Sequence, residues 1–93
     1  MAVRYTKTYV EVKVDFRPDG TMYPRCLIWE DGREYAIERV KTVRPASAQK
    51  AGGAGDRYTV VIQGQERYIF FEHNIDTCSD HIGKWFVEKP ESA

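Results

Sequence analysis

Tyr9-Val10-Glu11-Val12-Lys13-Val14-Asp15-Phe16, followed at once by Arg17-Pro18-Asp19-Gly20, decides the fold class. Val10, Val12, Val14 and Phe16 fall on one side of an extended segment, and Tyr9, Glu11, Lys13 and Asp15 on the other. A period of two belongs to a strand with one covered face. The β-branched and aromatic content suits that conformation. In the turn that follows, proline presets φ and glycine accepts positive φ at little cost.

The pattern continues outward. A second strand is predicted from Thr21 to Trp29, with Leu27 and Trp29 on one face and Cys26 and Ile28 on the other. Pro24 cannot donate a ladder hydrogen bond, so this strand should lie at an edge or carry a bulge there. Glu30-Asp31-Gly32-Arg33 is a hairpin signal. A third strand starts at Arg33 with Tyr35 and Ile37 inward, and its apolar phase slips toward Val40 and Val43. That slip predicts a bend or bulge near Glu38-Arg39. The small-residue stretch Pro45 to Asp56 predicts a long loop with one helical turn at Ser47 to Ala51. Strands resume at Arg57 to Gln63, turn at Gly64-Gln65, and return from Arg67 to Glu72. His73 to Gly83 is a polar connection, and Trp85 to Glu88 is the last strand. The expectation is an all-β fold: a six-stranded antiparallel meander forming a small SH3-like barrel or a strongly bent sheet. Residues 1–89 form one domain and 90–93 a flexible tail.

Ninety-three residues leave no room for a second domain. At this size most large apolar side chains must serve the core first. Fourteen basic and 14 acidic groups cancel, and apolar residues are 42%. That composition fits an ordinary globular domain. No stretch approaches the ~20 apolar residues of a membrane-spanning helix, and no apolar run follows Arg4 and Lys7 as a secretory signal requires. Two cysteines, Cys26 and Cys78, make no disulfide framework. The expected setting is the cytoplasm, with no membrane partner.

Trp29-Glu30-Asp31-Gly32-Arg33-x-Tyr35-x-Ile37-x-x-Val40, then Arg44-Pro45-Ala46-Ser47, then Lys50-Ala51-Gly52-Gly53-x-Gly55-x-Arg57-Tyr58-Thr59, and finally Trp85-Phe86-Val87-Glu88 form a longer pattern. It resembles a group of short bacterial proteins, chiefly from Gram-positive anaerobes, grouped as a domain of unknown function. The resemblance runs from about Leu27 to Lys89 and implies no activity. A looser likeness is to small domains that accompany Y-family DNA polymerases, through a Trp-x-x-Arg-x-Tyr type hairpin. Against this pattern the polar segment 73–81 reads as an insertion.

Several clusters invite chemistry. His73, Cys78 and His81 offer three zinc-type ligands, and Cys26 is a fourth if the second strand lies near. Their spacing is not that of a zinc ribbon or finger, and a solvated loop is the simpler account, so no cofactor is expected. Catalysis by Cys78 would need a lowered thiol pKa and a fixed third group. Ser47 has no evident base, and the carboxylates around Glu30 to Glu38 read as a solvated rim. Gly52-Gly53-Ala54-Gly55 lacks the Gly-Lys-Ser/Thr ending of a phosphate loop. The chain is therefore expected not to be an enzyme.

Charge distribution says more than net charge. Residues 39–57 carry five basic side chains, Arg39, Lys41, Arg44, Lys50 and Arg57, against Asp56 alone. Such a segment suits phosphates or an acidic protein surface. A pI near 6.7 falls short of the usual nucleic-acid signature. The consecutive Tyr68-Ile69-Phe70-Phe71 must point to both faces of a sheet. Aromatics left outside would mark a partner or self-association surface. The expected function is a small binding module for a macromolecule, protein or nucleic acid, contacting it through the five basic residues, Phe71 and Trp85. The alternative is metal binding by the His73, Cys78 and His81 loop.

Overall fold

A computed structural model describes residues 4–48, 53–73 and 83–90. It contains β1 (Tyr5–Phe16), β2 (Met22–Ile28), β3 (Glu34–Ala36), β4 (Arg39–Ala48), β5 (Gly53–Ile62), β6 (Gln65–His73) and β7 (Gly83–Pro90). No helix occurs among the described residues. All pairings are antiparallel, in the order β3-β2-β1-β7-β6-β5-β4. Chain neighbours are therefore sheet neighbours except at one place, between β3 and β4. The first and last strands pair with each other.

That one exception explains the curl. β3 and β4 lie at opposite edges of the sheet, yet only Ile37 and Glu38 separate them. Three peptide steps span at most roughly 11 Å. A flat seven-stranded sheet would hold its edges more than twice as far apart, at about 4.8 Å per strand. The sheet must bend until its edges nearly meet, and it forms a strongly curled half-barrel. Residues 37 and 38 stitch the seam. Ile37 N–H donates to the Arg25 carbonyl at 2.9 Å, and Glu38 N–H to the Val61 carbonyl at 2.8 Å.

The all-β antiparallel expectation holds, with seven strands among the described residues rather than six. The irregularity predicted near Glu38-Arg39 is a full break that divides the expected third strand into β3 and β4. The bulge predicted at Pro24 is present. Lys13 pairs with Cys26 and Val14 with Pro24, leaving Arg25 as the extra residue of β2. The covered face of β1 ends near that point: Val10 and Val12 pack against the core, whereas Phe16 is 67% exposed.

Other expectations need correction. Residues 45–56 are not mainly a loop. β4 and β5 stay in register out to Ala48 opposite Gly53, so Ser47 and Ala48 are in a strand. Residues 49–52 lie outside the described residues. Small side chains read as a loop because they bury little, but ladder hydrogen bonds need no side chain. The β5–β6 turn centres on Gln63 and Gly64, φ 52° and 73°, one residue earlier than predicted. Both residues at positive φ make it the tight hairpin whose twist matches the flanking strands. β7 reaches Pro90, which pairs with Tyr5; residues 91–93 are outside the described set.

The sheet hides apolar side chains on both faces. Leu27, Ile37, Tyr58, Val60, Ile62, Ile69, Phe71 and Trp85 fill the inside of the curl. Phe70 and Phe86, 2% and 0% exposed, form a second cluster. Phe70 sits between Ile69 and Phe71 in β6, so strand alternation places it on the outer face. The two rings stack at 4.9 Å and 8°.

Candidate functional site

The basic segment lies on β4 and β5. Arg44 stands directly opposite Arg57, and Arg57 opposite Phe70. Direct partners share a face, so Arg44 and Arg57 project from the outer side, beside the stacked phenylalanines. Arg39 is opposite Val61 on the same side. None of these arginines has a carboxylate partner among the described residues. Lys41 differs: its ammonium pairs with Glu66 at 2.8 Å. Lys50 lies outside the described residues.

Arg57 is the least satisfied of them. It belongs to an interior strand and is half-buried. Its guanidinium lies 4.7 Å from the Tyr68 ring centroid, and its buried Nε has no hydrogen-bond partner. Tyr68 itself is 49% exposed. Buried donors without partners are rare and ask for an explanation. Two like charges directly opposite across a ladder repel. An anion on this face would answer both.

Phe71 and Trp85, expected to face outward, are buried in the core. They are 4% and 8% exposed, and they pair with each other across β6 and β7 with rings 5.0 Å apart. Tyr58 packs on Trp85 at 5.0 Å. Alternation alone cannot say which face of a strand is wet, and here the inner face of the curl took both rings. Gly83 makes the room: a Cβ there would lie 2.5 Å from Phe71 Cζ.

Of the expected metal ligands, His73 ends β6, with Nε2 2.7 Å from Asp56 Oδ2. Cys78 and His81 lie outside the described residues. Cys26 sits on β2, with β1 and β7 between it and β6 in the sheet. Its neighbours are Glu34, 3.6 Å from Sγ, and the Leu27 carbonyl. Burial first, and then the Glu34 hydrogen bond, pushes its thiol up from the ordinary value. A thiolate ligand or nucleophile needs the opposite. No group of three metal-binding side chains occurs among the described residues.

A polar network on the outer face of β1 and β6 has no counterpart in the sequence analysis. Lys7 bonds Glu72, and the Tyr9 hydroxyl donates to Glu72 Oε1 at 2.8 Å. The Lys7 bond chiefly holds the Glu72 carboxyl below its usual range, and Glu72 raises Lys7 in turn. These residues are more than sixty positions apart, and only the β1–β7–β6 order brings them together. Tyr68 was also missed as a surface partner of Arg57. Its place one step before Ile69 in an alternating strand was the available signal.

No helix among the described residues is long and apolar enough to cross a membrane. Comparison of the chain with protein-family models, with curated proteins and with solved structures finds no match in any of the three.

Proposed function

We propose that this chain is a non-catalytic β module that binds single-stranded nucleic acid on the outer face of β4, β5 and β6. Arg39, Arg44 and Arg57 contact phosphates, and Tyr68 offers a ring on which a base stacks. The observation that carries the reading is the Arg44–Arg57 pair, directly opposed and without a carboxylate partner among the described residues, with the Arg57 Nε unpartnered. Charges on an edge strand such as β4 also guard against unwanted strand pairing. That role covers Arg39 and Arg44 but not Arg57, which is on an interior strand. The free Cys26 thiol suits a reducing, cytoplasmic setting.

Fluorescence anisotropy with a labelled oligothymidylate tests it. Three phosphate contacts give a log-log salt slope of roughly −2 for a single strand. Arg57→Gln should weaken binding and reduce that slope by about 0.7. Arg44→Gln, which keeps the Arg57–Tyr68 contact, should leave thermal stability equal or slightly higher, since it removes the repulsion of like charges directly opposite. Binding unaffected by either substitution overturns the assignment. A preference for polyglutamate over the oligonucleotide would move the partner to an acidic protein and overturn the nucleic-acid reading.

A further inference from the structure

The sheet is not continuous along its whole height. β6 and β7 pair only where Phe70–His73 faces Gly83–Phe86. Beyond that point β7 stays on β1 as far as Pro90, while β6 stays on β5 from Gln65. The two strands part, and a cavity of about 640 Å³ opens between their free ends. Its floor is apolar and belongs to the core: Leu27, Trp29, Ile62 and Val87. Small-molecule sites commonly measure about 300–1,000 Å³ and combine an apolar lining with a few placed polar groups.

The charged groups at the rim are unequal. Lys89 is already paired, 2.6 Å from Glu30, with its ammonium 5.7 Å from the Trp29 ring centroid. Glu66 is held by Lys41, and Glu88, also at the rim, is engaged as well. Arg67 has no carboxylate among the described residues, and its Nη2 only donates to the neutral Gln65 side chain at 2.7 Å. Arg67 lies opposite Val60 in the ladder, and Val60 is a core residue. Arg67 therefore stands on the inner side of β6, at the wall of the cavity. Among the described residues, the charge at this apolar space without an opposite partner is the Arg67 guanidinium, a group that suits a carboxylate bidentately.

We propose that the cleft between β6 and β7 binds a small amphipathic carboxylate. Its apolar body lies on Leu27, Trp29, Ile62 and Val87, and its carboxylate pairs with Arg67. Tyr68, which carries Arg57 on the outer face, also borders the cleft, but Arg67 and the apolar floor lie on the inner side, and this site does not rest on the nucleic-acid reading.

The test uses the full chain and three probes: dodecanoate, 1-naphthoate and uncharged dodecanol. Binding is followed by tryptophan fluorescence and by amide shifts of Tyr35 and Val87. The expected result is saturable binding of at least one carboxylate, with shifts at both amides. Arg67→Gln should weaken carboxylate binding by about tenfold, the loss of one strong charged contact, and leave dodecanol unchanged. Arg57→Gln should bind the carboxylate as the parent does, which separates this outcome from that of the nucleic-acid assay. No saturable binding of either carboxylate overturns the proposal. So does an equal loss of dodecanol in Arg67→Gln, which would mean a packing change rather than a lost ion pair.

Discussion

Phe86→Ala removes a ring buried on the outer side of the sheet. Phe86 is 0% exposed, stacked on Phe70 at 4.9 Å and edge-on to Tyr9 at 6.3 Å. The Lys7 ammonium lies 4.8 Å from its centroid. Truncating a buried phenylalanine costs about 3–5 kcal/mol. A chain of 93 residues carries a total stability of roughly 5–14 kcal/mol, at about 0.05–0.15 kcal/mol per residue. The variant should therefore lose at least about a fifth of its stability and at the other extreme all of it. A milder double-mutant cycle isolates the stack. Phe70→Leu, Phe86→Leu and the double variant should show a coupling of about 0.5–1.5 kcal/mol. The assay is urea unfolding followed by fluorescence, with the slope unchanged if the unfolded state is the same. A cost below about 0.5 kcal/mol for Phe86→Ala is what surface positions show. That result, or leucine effects additive within about 0.3 kcal/mol, would refute a packed outer cluster.

Three more outcomes follow from the same geometry. Gly83→Ala places a Cβ 2.5 Å from the Glu72 carbonyl oxygen and from the Phe71 ring; overpacking of this kind costs about 1–3 kcal/mol, visible as a melting point lower by at least about 4 °C. An unchanged melting point would mean that β6 and β7 are not so close there. Glu72 has a folded pKa below its ordinary 4.5, so its contribution is full above that value and is lost as pH falls through the folded pKa. The stability gap between the parent and Glu72→Gln should be largest near neutrality and close in acid, and a gap independent of pH would contradict the Lys7 pairing. Burial raises the Cys26 thiol, so in a Cys78→Ala background it should react with Ellman's reagent more slowly than in urea. Equal rates would place Cys26 outside the fold.

The strand pattern was legible because alternation is a local property. Val10-Glu11-Val12-Lys13 states its own period, and Asp19-Gly20 and Asp31-Gly32 carry the turn chemistry needed by glycines at φ 90° and 86°. Pro24 announced its bulge because a missing N–H is written in the residue type. Charge was legible too, and Arg39, Arg44 and Arg57 do share a surface. The failures were of another kind. The stretch 45–56 is poor in side-chain bulk, so its strand character rests on backbone pairing with a partner that no local window contains. The burial of Phe71 and Trp85 is not readable from a count of aromatics, which cannot tell which face of a strand will be covered.

Residue order alone thus determined that the chain would be extended, turned at glycine, polar on alternate positions and basic in its middle third. Dihedral preference and period act over a few residues and need no partner. Only the tertiary structure decided that β1 would meet β7, that the edges would be drawn together by two residues, that Glu72 would find Lys7, and that β6 and β7 would part to leave a cavity. Those facts depend on pairings between strands far apart in the chain, which no local stretch of residues contains.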